Sequence, residues 1–139
     1  MLVRLVYASR AHPDFTPESM NNIMVASRRN NPPNGITGIL CCNGSVFLQL
    51  LEGGRKEVSD TYNRIASDKR HHDVQIIHFE EIIERKFAVW AMGKVSFDRL
   101  NMATLLKHSA KPVLDPYAVA GSASVALLEE LMATASIAS

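Results

Sequence analysis

Residues 35–54, GITGILCCNGSVFLQLLEGG, decide how this chain is read. Two apolar runs, 35–42 and 45–51, flank Asn43-Gly44, one of the strongest short signals for a β-hairpin. Strict alternation along the second run puts Phe47, Gln49 and Leu51 on one face of a strand. Gln49 is therefore an uncharged amide among aliphatic neighbours. Left without partners in a core it costs about 1–3 kcal/mol, so a hydroxyl, a second amide or a ligand is expected beside it.

Upstream of the hairpin, residues 1–9 read as a strand with Val3, Leu5 and Tyr7 on one face, which makes Tyr7 the candidate hydroxyl. Thr16-Pro17-Glu18 then starts a helix: a capping hydroxyl, proline at the first helical position and an acid in the first turn. Met20, Ile23, Met24 and Ser27 form its inner stripe. Asn31, about three turns after Met20, falls in line with it, and Pro32-Pro33 ends the helix there.

Downstream, Glu52-Gly53-Gly54 closes the hairpin, and Val58, Tyr62 and Ile65 give the stripe of a second helix running to about Asp68, with Arg64 and Asp68 at its flank. After a turn at His71-His72-Asp73, residues 74–79 predict a fourth strand. Residues 88–97 predict a fifth, carrying Trp90 and Met92 on one face. The order is the split βαβ of a ferredoxin-like α+β sheet, βαββαβ with an added strand and both helices on one face. Beyond residue 97 the pattern turns helical at 100–107 and 122–138, around a loop containing Pro112 and Pro116. These segments are expected to cover the opposite sheet face, where Leu2, Val6, Leu48 and Leu50 would otherwise meet water. The domain reading is a sheet-and-helix unit at 1–97 and a helical extension at 98–139 that packs on the sheet.

Composition narrows the function classes. Fifteen basic and fourteen acidic residues leave a net charge of +1, with no basic stripe suited to nucleic acid. No apolar run approaches the ~20 residues needed to cross a bilayer, and Arg4 interrupts the first strand before a signal-peptide core forms, so a cytoplasmic protein is expected. Cys41 and Cys42 are adjacent in a strand, point to opposite faces and cannot readily bridge. A hydrolase or transferase built on either thiol with His71, His72 or His78 lacks a helical i, i+4 pair, zinc-like spacing and a nucleophile elbow. From pattern alone, Tyr7 reads as a core aromatic, Asn31 as a helix cap, Trp90 and Met92 as core residues and Gln49 as an edge-strand polar group.

Four strings, "RLVYASRA", "NNPPNGITGILCCNGSVFLQLLEG", "RIASDKRHHDV" and "RKFAVWAM", taken in order and at their intervals, resemble the signatures of the BLUF family of flavin-binding blue-light sensors. The likeness covers about residues 2–97 and is closest to the short, stand-alone members. It implies FAD, with its ring system between the two helices, against apolar walls from Ile23, Met24, Ile65 and Ile36. It implies that Asn31 bonds the polar edge of the ring, and that Asn30, Arg64, Asp68 and His71 lie along or near the flavin and its tail. Tyr7 and Gln49 match the family's essential tyrosine and glutamine: electron and proton transfer from the phenol, then rotation or tautomerisation of the amide, would red-shift the flavin through its C4 carbonyl. Trp90 and Met92 match the output positions. The resemblance further implies no enzymatic activity, a homo-oligomer, and a separate downstream partner, a response regulator or transcription regulator. The alternative reading is a light-insensitive regulatory module that binds a ligand or protein.

Overall fold

The computed structural model describes residues 1–43, 45–96 and 102–134. Its elements are β1 (Leu2–Ala11), α1 (Pro17–Asn30), β2 (Thr37–Cys42), β3 (Val46–Gly54), α2 (Arg55–Ala66), β4 (His71–Ile82), β5 (Gly93–Ser96), α3 (Met102–His108) and α4 (Gly121–Thr134). The five strands form one sheet in the order β4-β1-β3-β2-β5. The pairs are antiparallel except β2 with β5. This is the expected α+β ferredoxin-like arrangement with a strand added beside β2.

Local chemistry accounts for the first elements. The Thr16 hydroxyl accepts from the Ser19 amide at 3.2 Å and the Ser19 hydroxyl accepts from the Thr16 amide at 3.2 Å, which starts α1 with two donors satisfied. At its other end Asn31 keeps helical dihedrals, and the two prolines take the first positions of a 3-10 turn, Pro32–Asn34, where a missing N–H costs nothing. Gly35, at φ +67, then reverses the chain into β2. The β2–β3 hairpin is present: the Asn43 side-chain carbonyl accepts from the Ser45 and Val46 amides at 3.1 and 2.8 Å, while Gly44 lies outside the described residues.

The sheet separates two cores. On one face Val3, Leu5, Tyr7 and Leu51 pack with Met20 and Met24 of α1 and Val58 of α2. On the other, Val6, Ile39, Cys41, Leu48 and Leu50 meet Val125, Leu127, Leu128 and Leu131 of α4. Helix α3 joins α4 instead of the sheet, with His108 Nε2 2.6 Å from Glu130 Oε2. The segment between them is fastened to the sheet edge, where Tyr117 donates to the Asp73 carbonyl at 2.8 Å and the Arg10 guanidinium covers its ring at 4.3 Å. None of the described helices is long and apolar enough to cross a membrane.

Three expectations are corrected. First, β4 begins at His71, because β1 extends to Ala11 and pairs with 71 and 72; the expected turn is reduced to irregular register around Asp73, at φ +53. Second, α2 ends at Ala66, and Asp68 lies beyond it in a turn closed by the Arg70 amide. Third, β5 is four residues long: it pairs with β2 only from Gly93 to Ser96, and residues 88–92 run as turn and bend, with the Trp90 carbonyl taking the Gly38 amide at 3.1 Å. Residues 97, 100, 101 and 135–138 of the expected elements lie outside the described residues.

Candidate functional site: a cleft between two helices

The β1–β3 register sets Tyr7 directly opposite Gln49, and alternation points both toward the helices. The Tyr7 hydroxyl donates to Gln49 Oε1, and Gln49 Nε2 donates to Met92 Sδ at 3.2 Å. Gln49 is 4% exposed, so both ends of a buried amide are engaged, one by a strong partner and one by a thioether, a weak acceptor. Burial pushes the Tyr7 phenol far above its ordinary value, with Tyr62 and Asp68 adding in the same sense. In the resting protein the proton therefore stays on Tyr7.

Tyr7 and Gln49 form the floor of a cavity of about 220 Å³ that opens between α1 and α2. Ile23, Ser27 and Asn30 of α1 wall one side, and Thr61, Arg64 and Ile65 of α2 the other. Phe15 and Phe47, ring centroids 5.0 Å apart, stand at one end. Asn31, at the C-terminus of α1, donates from Nδ2 to the Ala91 carbonyl at 2.8 Å and so ties the cleft to the segment before β5.

His71 is locked as a strut. Its Nε2 donates to the Ile65 carbonyl at 2.5 Å, so that nitrogen carries the proton, and Nδ1 shares a hydrogen with the Ser9 hydroxyl at 2.8 Å. At the mouth, Asp68 is gripped by Arg70 through Nε at 3.0 Å and Nη2 at 2.5 Å. This hydrogen bonding, opposed by partial burial, holds the Asp68 carboxyl below the usual carboxylate range. Arg64 reaches only Thr61 Oγ1, at 3.4 Å, and among the described residues no carboxylate pairs with it.

Of the residues singled out from sequence, Tyr7, Ile23, Asn30, Asn31, Gln49, Arg64, Asp68 and His71 line this one cleft, as does Ile65. Met92 reaches it through Gln49. Trp90 does not: it packs against the opposite core with Phe87 and α4 residues, because the segment before β5 is not a strand and its side chains do not alternate. Met24 and Ile36 also fall short of the cavity and fill the core behind it. Phe15, Thr61 and Arg70 escaped the sequence reading. Phe47 was within reach, sharing the face of Gln49 by alternation.

Residues 2–93 match the family model described as BLUF, sensors of blue-light using FAD. Over 74 residues the chain is 36% identical to the blue light- and temperature-regulated antirepressor BluF of Escherichia coli (strain K12), a match covering 53% of this chain and 18% of that protein. This chain thus aligns with only a small part of that relative. Among solved structures, BlsA in its photo-activated state superposes with a TM-score of 0.89 at 26% identity, covering 100% of this chain and 99% of that one. The dark-state structure of BlrB, a BLUF protein, superposes with a TM-score of 0.80 at 33% identity, covering 97% of each. With two thirds of its length matched by the family model and its fold shared from end to end with solved members, this chain belongs to the BLUF family of flavin-binding blue-light sensors.

Proposed function

We propose that this protein uses FAD in the α1–α2 cleft and that light resets the hydrogen bonds of Gln49. The observation that carries this is one continuous buried chain, Tyr7 to Gln49 to Met92, whose first two members form the floor of that cleft. The residues present suit a flavin. Aliphatic side chains of α1 and α2 flank the space, amides sit on its floor and at its end, and at about 220 Å³ the cavity falls just below the ~300–1,000 Å³ range of small-molecule sites, which suits a ring system with its tail outside. Ile23 and Ile65 would sandwich the rings, Asn31 would bond their polar edge, and Asn30 and Arg64 would meet the tail, Arg64 being the cation there without a carboxylate partner among the described residues. Asp68 and His71 would hold the mouth in shape.

When bound, the flavin absorbs blue light and becomes a strong one-electron oxidant. Tyr7 is the donor in contact with the cleft, and the proton it sheds on oxidation has Gln49 Oε1 already in place to receive it. Gln49 would then either pass a proton from Nε2 to the flavin that has taken the electron, leaving the amide as its tautomer, or turn about its terminal bond. Both outcomes exchange donor and acceptor ends without moving β3, and the weak bond to Met92 is the one given up. When the electron and proton return to Tyr7, only the amide and its partners differ. That is a two-state element set by light and reset in the dark.

On this reading the protein is a sensor without catalytic turnover, formed by a flavin unit at 1–97 and an extension at 98–139, which acts in the cytoplasm on a separate response regulator or transcription regulator, as a homo-oligomer. Met92 and Trp90, on opposite faces of the sheet, would carry the output. A dark-minus-light absorbance spectrum of the purified yellow protein, followed through dark recovery, tests the proposal. A reversible red shift is expected. A colourless protein, or a flavin spectrum unaltered by blue light, overturns it.

A further inference from the structure

Glu52 is a fully buried carboxylate on the sheet face opposite the cleft, three residues after Gln49 on the same strand. Its Oε2 takes Arg4 Nε at 2.8 Å and Arg4 Nη2 at 2.7 Å. Its Oε1 takes the backbone amide of Phe87 at 2.7 Å, and the Lys86 amide lies 3.1 and 3.2 Å from the two oxygens. Neutralising Arg4 would not require this arrangement, since Glu80 also pairs with that guanidinium. A buried ion pair adds little stability over apolar side chains of the same volume, so its use is better sought in fixing one conformation.

The conformation in question is that of residues 85–92. From the clamped amides the segment enters the core at Phe87, which is fully buried, and then presents three acceptors in succession. The Trp90 carbonyl takes the Gly38 amide at 3.1 Å, the Ala91 carbonyl takes Asn31 Nδ2 at 2.8 Å and Met92 Sδ takes Gln49 Nε2 at 3.2 Å. Strand β3 thus holds one segment from both faces of the sheet, by Glu52 at its start and Gln49 at its end. We infer that Glu52 is a positioning residue: its carboxylate fixes residues 85–92 so that Met92 and Ala91 meet Gln49 and Asn31, and thereby sets how fast the lit state relaxes. The relaxation clause rests on the photosensing reading above; the clamp itself does not.

Glu52→Gln keeps the shape but turns one acceptor oxygen into a donor that faces other donors. In the flavin-loaded protein kept dark, amide hydrogen exchange over 85–92 should rise about tenfold or more, and the emission of Trp90, the chain's single tryptophan, should shift, while far-UV circular dichroism and flavin occupancy hold. Dark recovery should change by about tenfold in the same variant. Lys86→Pro removes one clamped N–H and leaves the Arg4–Glu52 pair intact, so it should loosen the same segment; Lys86→Ala, which loses only the side-chain pair with Glu129, should not.

Wild-type exchange and unshifted emission in a folded Glu52→Gln overturn the clamp, and if that variant fails to fold, the same result in Lys86→Pro does. A loosened segment with wild-type recovery overturns the link to Met92. A wild-type protein without any light-induced spectral change overturns photosensing instead, and exchange and emission still decide the clamp.

Discussion

Gln49 is poised because its two ends are unequally bonded: a phenol on Oε1 and a thioether on Nε2. Tyr7→Phe and Gln49→Leu each remove the strong half of that chain without opening a large cavity, so both variants should retain yellow flavin and lose the reversible red shift; a normal photocycle in either removes that residue from the mechanism. Asn31→Ala should weaken flavin binding, measured by titrating the flavin out of the purified protein. The phenol also makes a pH prediction. Its folded value is raised by burial above the ordinary ~10, so the stabilisation it contributes is complete below that value and declines as pH rises past it toward the folded one. Folded wild type and Tyr7→Phe should therefore show equal phenolate absorbance near pH ~10.5, and on unfolding wild type should gain about three-quarters of a phenolate more than the variant. That Tyr7 and Gln49 share a face was legible from alternation, since both lie in long, regular strands. Alternation does not hold at Trp90 and Met92, which lie in opposite cores because the chain there is not a strand.

Helix α4 is seated by a contact of backbone on backbone. A Cβ added at Gly121 would lie 1.8 Å from the Ile77 carbonyl oxygen, with the chain of β4 behind it, so neither side can yield cheaply. Gly121→Ala should destabilise the protein by about 1–3 kcal/mol, read as a lower urea midpoint, by forcing the start of α4 off the sheet. Among the elements, the start of α1 was legible because Thr16 and Pro17 act on atoms within one turn, whereas the reciprocal bond from Ser19 appears only in the structure. Strand β5 was not legible. The segment leading to it is held by Glu52, which lies 34 residues before Lys86 in sequence, and no local pattern signals that a carboxylate will claim those amides.

In the molecule as a whole, one sheet serves two layers: α1 and α2 enclose the cleft on one face, and α4 closes the other over Leu48 and Leu50. Leu128 and Leu131 lie in that second layer with essentially no exposure, so Leu128→Ala should cost about 2–5 kcal/mol in denaturant unfolding while the dark flavin spectrum, set on the opposite face, stays in place. Periodicity, caps and the hairpin made the ferredoxin-like order and the division of residues between faces readable from sequence alone, because each of those signals acts within a few residues along the chain. Only the tertiary structure decided that Trp90 and Met92 part to opposite cores, that Asn31 reaches Ala91, and that Arg4, Glu52 and the amides of Lys86 and Phe87 form one network. Those are contacts between groups far apart in sequence, made where side chains replace the regular backbone ladder, and a periodic pattern carries no information about them.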